Sequence, residues 1–229
     1  MTTTPRLFNN QLCYHIYNCG VERRITFTNA DDYVHFLEIA AFYLQAESIP
    51  FSQFSRLSIE EKVKFRQTYP ITKETRRVSL LVYCLMPNHF HFITKIEKDL
   101  GLSQFISDVT NSYTKYFNTK NKRIGHLFQG SFKAKEVASE ESFMQLSRYI
   151  HLNPVMSSKV AWRTPLSRYP YSSYAVWIQN EDDSLVQVED IKKFLPSYSP
   201  SSYEEFVESK IYGGSFLGLE KIILEKADV

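Results

Sequence analysis

The chain has 229 residues, 43% of them hydrophobic, and carries 27 basic against 25 acidic side chains, for a net charge of +2. That supplies a real core for one domain with extensions, and the near-balance of charge excludes a globally basic nucleic-acid binder. Three cysteines (Cys13, Cys19 and Cys84) with no C-x-x-C spacing argue against a disulfide framework or a structural zinc. Residues 1–10 lack the apolar core of a secretion signal and no apolar run approaches a membrane span, so a cytoplasmic protein is expected.

Residues 12–17 alternate as a short strand that stops near Gly20, and 25–28 read as a second extended piece. Asn29 opens a helix with Asp31 and Asp32 in its first turn, where carboxylates suit the helix dipole. Its apolar stripe holds Val34, Phe36, Leu37, Ala40, Ala41 and Leu44, and Pro50 closes it. Residues 50–77 have the look of an insertion, in which Ser58 and Glu61 form a capping box for a helix to about 67. Strand character returns over 78–86, Pro87-Asn88 interrupts it, and 89–95 continues extended, as one bent strand or as two. A helix over 102–118 places Phe105, Val109, Tyr113, Tyr116 and Phe117 at helical spacing. A basic link over 120–130 leads to a strand over 131–137. Ser139, followed by Glu140 and Glu141, then opens a third helix that carries Phe143, Leu146, Tyr149 and Ile150 and meets Pro154. From about 165 the chain is rich in Ser, Tyr and Pro, with short helices expected near 203–209 and 217–226. This order predicts an α+β fold: a ferredoxin-like antiparallel sheet with helices packed on one face, plus a C-terminal extension. The boundaries read as one domain over 1–164, with its insertion at about 50–77, and an extension over 165–229.

Chemistry concentrates in two places. His89 and His91 stand two apart on a strand, so both imidazoles face one way while Phe90 and Phe92 face the other. Tyr149 and Asn153 are four apart and share a helical face. With that face over the histidine strand, two imidazoles and an amide oxygen leave coordination positions open on Mg²⁺ or Mn²⁺ for water and a phosphate oxygen. Such a cation polarises a phosphodiester for in-line attack by Tyr149. The plainer readings are a half-buried His-x-His, a core tyrosine, and an ordinary helix-ending Asn-Pro.

Between Asp108 and Glu136 there is no acidic residue, and that stretch carries Lys115, Lys120, Lys122, Arg123, Lys133 and Lys135. It reads either as a solvated basic face or as a stripe that contacts phosphates. Tyr113 and Tyr116 are rival nucleophiles, but both fit the apolar stripe of their own helix, and neither has Asn or Gln four residues on. His151 falls on nearly the opposite side of its helix from Tyr149. His126 reads as an exposed loop residue, and His15 and His35 as structural or surface residues.

The runs YCLMPNHFHFI (83–93), GHLFQGSFKAK (125–135) and RYIHLNPV (148–155) resemble the single-tyrosine HUH transposases, and most of all the branch called REP-associated tyrosine transposases. YHIYN at 14–18 and YPYSSY at 169–174 are similar to that family too. The resemblance implies a ferredoxin-like catalytic domain that cuts and rejoins single-stranded DNA near a palindromic hairpin, without ATP. It implies a divalent metal, Mg²⁺ or Mn²⁺, on His89, His91 and Asn153, and a 5′-phosphotyrosine intermediate on Tyr149. It also implies a nucleoid-associated setting, with dimers and monomers both represented among relatives. Two departures stand out: Cys19 and Ser131 occupy positions where related sequences often have Arg, and neither can fork onto a phosphate. The rival readings are a catalytically lapsed DNA- or RNA-binding protein of the same fold, and a metal phosphodiesterase in which water attacks.

Overall fold

The computed structural model describes residues 8–10, 12–46, 49–157, 165–195 and 199–212. Its centre is an antiparallel four-stranded sheet of β1 (Cys13–Cys19), β2 (Val78–Met86), β3 (His89–Ile96) and β4 (Lys133–Val137), in the order β2-β3-β1-β4. Helix α1 (Ala30–Phe42) connects β1 to β2, and α4 (Gly101–Lys120) connects β3 to β4, which gives the βαββαβ order of a ferredoxin-like fold. The insertion holds α2 (Phe51–Phe54) and α3 (Ile59–Thr68); at the start of α3, Ser58 and Glu61 satisfy each other's backbone donors as a capping box. β2 and β3 are separate strands joined by a tight turn at Pro87-Asn88.

Alternation along β3 sorts the two faces. Phe90 and Phe92 meet Phe36 of α1 at ring distances of 5.3 and 6.2 Å, and Phe92 also meets Phe105 of α4. The expectation of helices on a single face therefore describes α1 and α4. Helix α5 (Glu140–Met156) lies on the other face, where the ring of Tyr149 meets that of His91. A helix's apolar stripe shows that one side is buried, not which side of a sheet buries it. Other boundaries shift as well. α1 ends at Phe42 rather than near Pro50, and Val34 is half exposed while Tyr33 is buried. Residues 25–28 form no strand: the amides of Thr26 and Phe27 both donate to the Pro87 carbonyl, at 2.8 and 3.0 Å, and brace the β2–β3 turn. Pro154 sits inside α5, which continues to Met156.

The C-terminal segment covers the β2 edge. Leu85 N donates to Tyr171 O, Ser173 N to Tyr83 O, Tyr169 Oη to Leu85 O and Trp177 Nε1 to Leu81 O. An open edge would present those groups to solvent or to another chain; here every residue of β2 is buried. Helices α6 (Tyr174–Gln179), α7 (Val188–Phe194) and α8 (Pro200–Tyr212) follow. α8 includes the helix expected near 203–209, and the one expected near 217–226 lies outside the described residues. The opposite edge, β4, is guarded by exposed Lys133, Lys135 and Glu136.

Candidate active site

His89 and His91 face α5, with ring centroids 5.0 Å apart and planes nearly perpendicular. Each ring has one nitrogen held by a neighbour. His89 Nδ1 lies 2.9 Å from Asn88 Oδ1. The amide orientation is set independently, because Asn88 Nδ2 donates to the Arg23 carbonyl at 3.3 Å. Asn88 Oδ1 only accepts, so Nδ1 of His89 carries a proton, and in the neutral form of the ring the lone pair is at Nε2. His91 Nδ1 lies 2.9 Å from His15 Nε2, across the β1–β3 pairing. Burial lowers the His91 pKa well below its ordinary 6.5, with smaller contributions from His89 and His15. Burial, then Lys135, lowers His15 to about 3. Both rings are therefore neutral at physiological pH, the state in which imidazole ligates metals.

Tyr149 reaches this face from α5, with its ring edge-on to His91 at 5.9 Å between centroids. One turn later Asn153 is buried, and its Nδ2 donates to the Tyr149 carbonyl at 3.0 Å, which leaves Oδ1 as its ligand-capable atom. The opposite side of α5 is clamped. His151 Nδ1 bonds Tyr203 Oη of α8 at 2.7 Å, and its Nε2 bonds Ser173 Oγ at 2.9 Å. Arg148 lies over the Phe206 ring, 4.1 Å from its centroid. His151 is thus a structural residue facing away from Tyr149, and burial holds its pKa at about 3.

The donor set fits a divalent cation. Two imidazoles face one way, each with its far nitrogen held by a neighbour, the arrangement that orients metal-ligating histidines. Among the described residues no group of three or more His, Cys, Asp or Glu is placed to hold a metal, so a third ligand from among them would have to be of another type, for which Asn153 Oδ1 is the candidate.

The basic residues do not form one stripe. Lys133 and Lys135 stand opposite Tyr17 and His15 in the β1–β4 register, on the histidine face. Lys115 and Lys120 belong to α4, across the sheet. Lys120 Nζ is tied to Asp32 at 2.6 Å, and Lys115 lines a groove of about 660 Å³ between α4 and the insertion. Lys122 is exposed in the link after α4, and Arg123 donates to Asn118 Oδ1 and lies over Phe117. Tyr113 is buried and donates to the Thr26 carbonyl, and Tyr116 donates to Asp32. The ring of His35 packs tilted against that of Tyr116, and His126 is exposed. Cys19 Sγ donates to Gln129 Oε1, and burial raises its pKa. Sequence reasoning missed His15. The available signal was its place on a strand bracketed by aromatic residues, but its partner is 76 positions away.

The family described as IS200-like transposase matches residues 49–153, a span that includes His89, His91, Tyr149 and Asn153. Among solved structures, a REP-associated tyrosine transposase bound to a REP hairpin is similar, with a TM-score of 0.50 and 16% identity over 82% of this chain and 90% of that one. At that identity the likeness is one of fold. No curated protein matches.

Proposed function

From the match of residues 49–153 to the IS200-like transposase family, we propose that the chain cleaves and rejoins single-stranded DNA through Tyr149. The observation that carries the reading is the meeting of Tyr149 with His91, 5.9 Å between ring centroids, beside a second imidazole on the same strand. His89, His91 and Asn153 would hold Mg²⁺ or Mn²⁺, which would polarise the phosphodiester and ease ionisation of a phenol whose ordinary pKa is near 10. Tyr149 Oη attacks phosphorus, the bond from phosphorus to the 3′-oxygen breaks, and in the net step the phenolic proton ends on that 3′-oxygen. The product is a 5′-phosphotyrosine link, and a second 3′-OH reverses the step without ATP. The clamp of Tyr203 and Ser173 on His151 holds α5 so that Tyr149 keeps its place over the histidines. A hairpin-bearing strand is the proposed substrate, after the REP-associated branch that the motifs resemble.

The test is denaturing gel electrophoresis of labelled hairpin-bearing single strands with Mn²⁺. Wild type, Tyr113→Phe and Tyr116→Phe form a protein–DNA adduct, and Tyr149→Phe forms none. Cleavage without an adduct makes water the nucleophile and overturns the role of Tyr149. Binding without cleavage overturns the activity.

A further inference from the structure

Beside the two histidines lies an aromatic side chain that the cleavage reading does not use. Tyr17 sits on β1 directly opposite His91 of β3 on one side and Lys133 of β4 on the other. Directly opposed residues on antiparallel strands share a face, so His91, Tyr17 and Lys133 form a row across the histidine face. Tyr17 is partly exposed, whereas Tyr14, His15, Ile16 and Asn18 along the same strand are buried. Its ring stacks on His15 at 4.9 Å and 29°, and lies 5.9 Å from His91. One face of the ring is thus taken by His15, and the residue keeps part of its surface exposed. Its hydroxyl makes no hydrogen bond among the described residues. Lys133 is exposed and pairs with no carboxylate among them.

We propose that Tyr17 and Lys133 form a nucleotide subsite next to the scissile phosphate, with the ring stacking on one base and the ammonium holding the adjoining backbone phosphate. The proposal rests on the reading of His89, His91 and Tyr149 as the cleavage site. Two strand spacings separate His91 from Lys133, roughly 10 Å, which seats one nucleotide between them. An aromatic face beside a cation is how single strands are held without base-pair readout, because every base offers a π-face and every link a phosphate. The subsite fixes where the strand lies relative to Tyr149, and it is sequence-tolerant.

The experiment measures binding of fluorescent oligothymidylate, and of an abasic strand of the same length, by anisotropy in chelator. Tyr17→Leu weakens oligothymidylate binding roughly 5- to 100-fold, the worth of one base–aromatic stack, and leaves the abasic strand unchanged. Tyr17→Phe keeps the ring and binds both as wild type does, which separates stacking from any use of the hydroxyl. Lys133→Met weakens both strands alike and flattens the salt dependence. Tyr17→Leu binding both strands as wild type does, or losing equally on both, overturns the subsite while the cleavage reading stands. Wild type binding neither strand overturns the subsite and leaves the cleavage reading to its own test on hairpin-bearing strands.

Discussion

His15 Nε2 and His91 Nδ1 lie 2.9 Å apart on neighbouring strands, both buried. Only one of the two nitrogens carries the proton they share. For His91 to offer its Nε2 lone pair to a cation, its Nδ1 must donate and His15 must accept. With its Nε2 as acceptor, His15 would hold His91 in that tautomer from outside the residue span that matches the family. His15→Leu is expected to weaken Mn²⁺ binding by about 10- to 100-fold, and His15→Gln, which restores an acceptor, to recover most of it. Isothermal titration calorimetry with Mn²⁺ reads this directly, and thermal melts confirm that each variant is folded. Equal Mn²⁺ affinity in wild type and His15→Leu would refute the tautomer role.

Asp32 anchors the other face of the sheet. Its buried carboxylate accepts from Thr28 N and Oγ1, Tyr116 Oη and Lys120 Nζ, at 2.8, 2.6, 3.0 and 2.6 Å. Burial alone raises its pKa, but the bonds to Lys120, Thr28 and Tyr116 outweigh burial and bring it below the ordinary 3.8. A depressed folded-state pKa stabilises above the unfolded value, and that contribution is lost as pH falls through the folded one. Asp32→Asn is expected to cost about 1–3 kcal/mol at neutral pH, by leaving Lys120 and the surrounding donors without their anion. Urea denaturation should show the gap between wild type and variant closing below about pH 4. A gap independent of pH would assign the loss to packing alone.

Tyr203 joins α8 to the helix that carries the proposed nucleophile, bonding His151 Nδ1 at 2.7 Å and Ser147 Oγ at 3.0 Å. Tyr203→Phe keeps the ring that packs on Trp177 but leaves a buried imidazole nitrogen unpaired. The expected loss is about 1–3 kcal/mol in chemical denaturation, with slower adduct formation at unchanged DNA affinity. Unchanged stability would mean that α8 does not brace α5.

Much of this arrangement was legible because it is local. The two-residue spacing of His89 and His91 settles their shared face. Ser58 with Glu61, and Asn29 ahead of Asp31 and Asp32, mark helix starts by hydrogen bonds that span three residues. Pairings distant in sequence were not legible. His15 meets His91 through strand register, and Thr26 and Phe27 brace the turn at Pro87 instead of forming a strand. The basic run from Lys115 to Lys135 is continuous in sequence, but the sheet divides it. α4 leaves on one face, and β4 returns with Lys133 and Lys135 on the other.

That division makes a prediction about DNA. Only the cations on the Tyr149 face lie where a strand bound at the histidines passes, and among the charges from the basic run these are Lys133 and Lys135. Each phosphate neutralised on a single strand releases about 0.7 of a counterion, which sets the slope of log affinity against log salt. Lys133→Met with Lys135→Met should therefore reduce that slope by roughly 1.4. Lys115→Met with Lys122→Met should leave it unchanged. Lys120→Met should lower stability rather than affinity, because its ammonium is held by Asp32. Anisotropy of a labelled hairpin strand across a salt series separates these outcomes. If Lys115→Met with Lys122→Met flattened the slope instead, the strand would run over α4, and the histidine face could not be where it is cut.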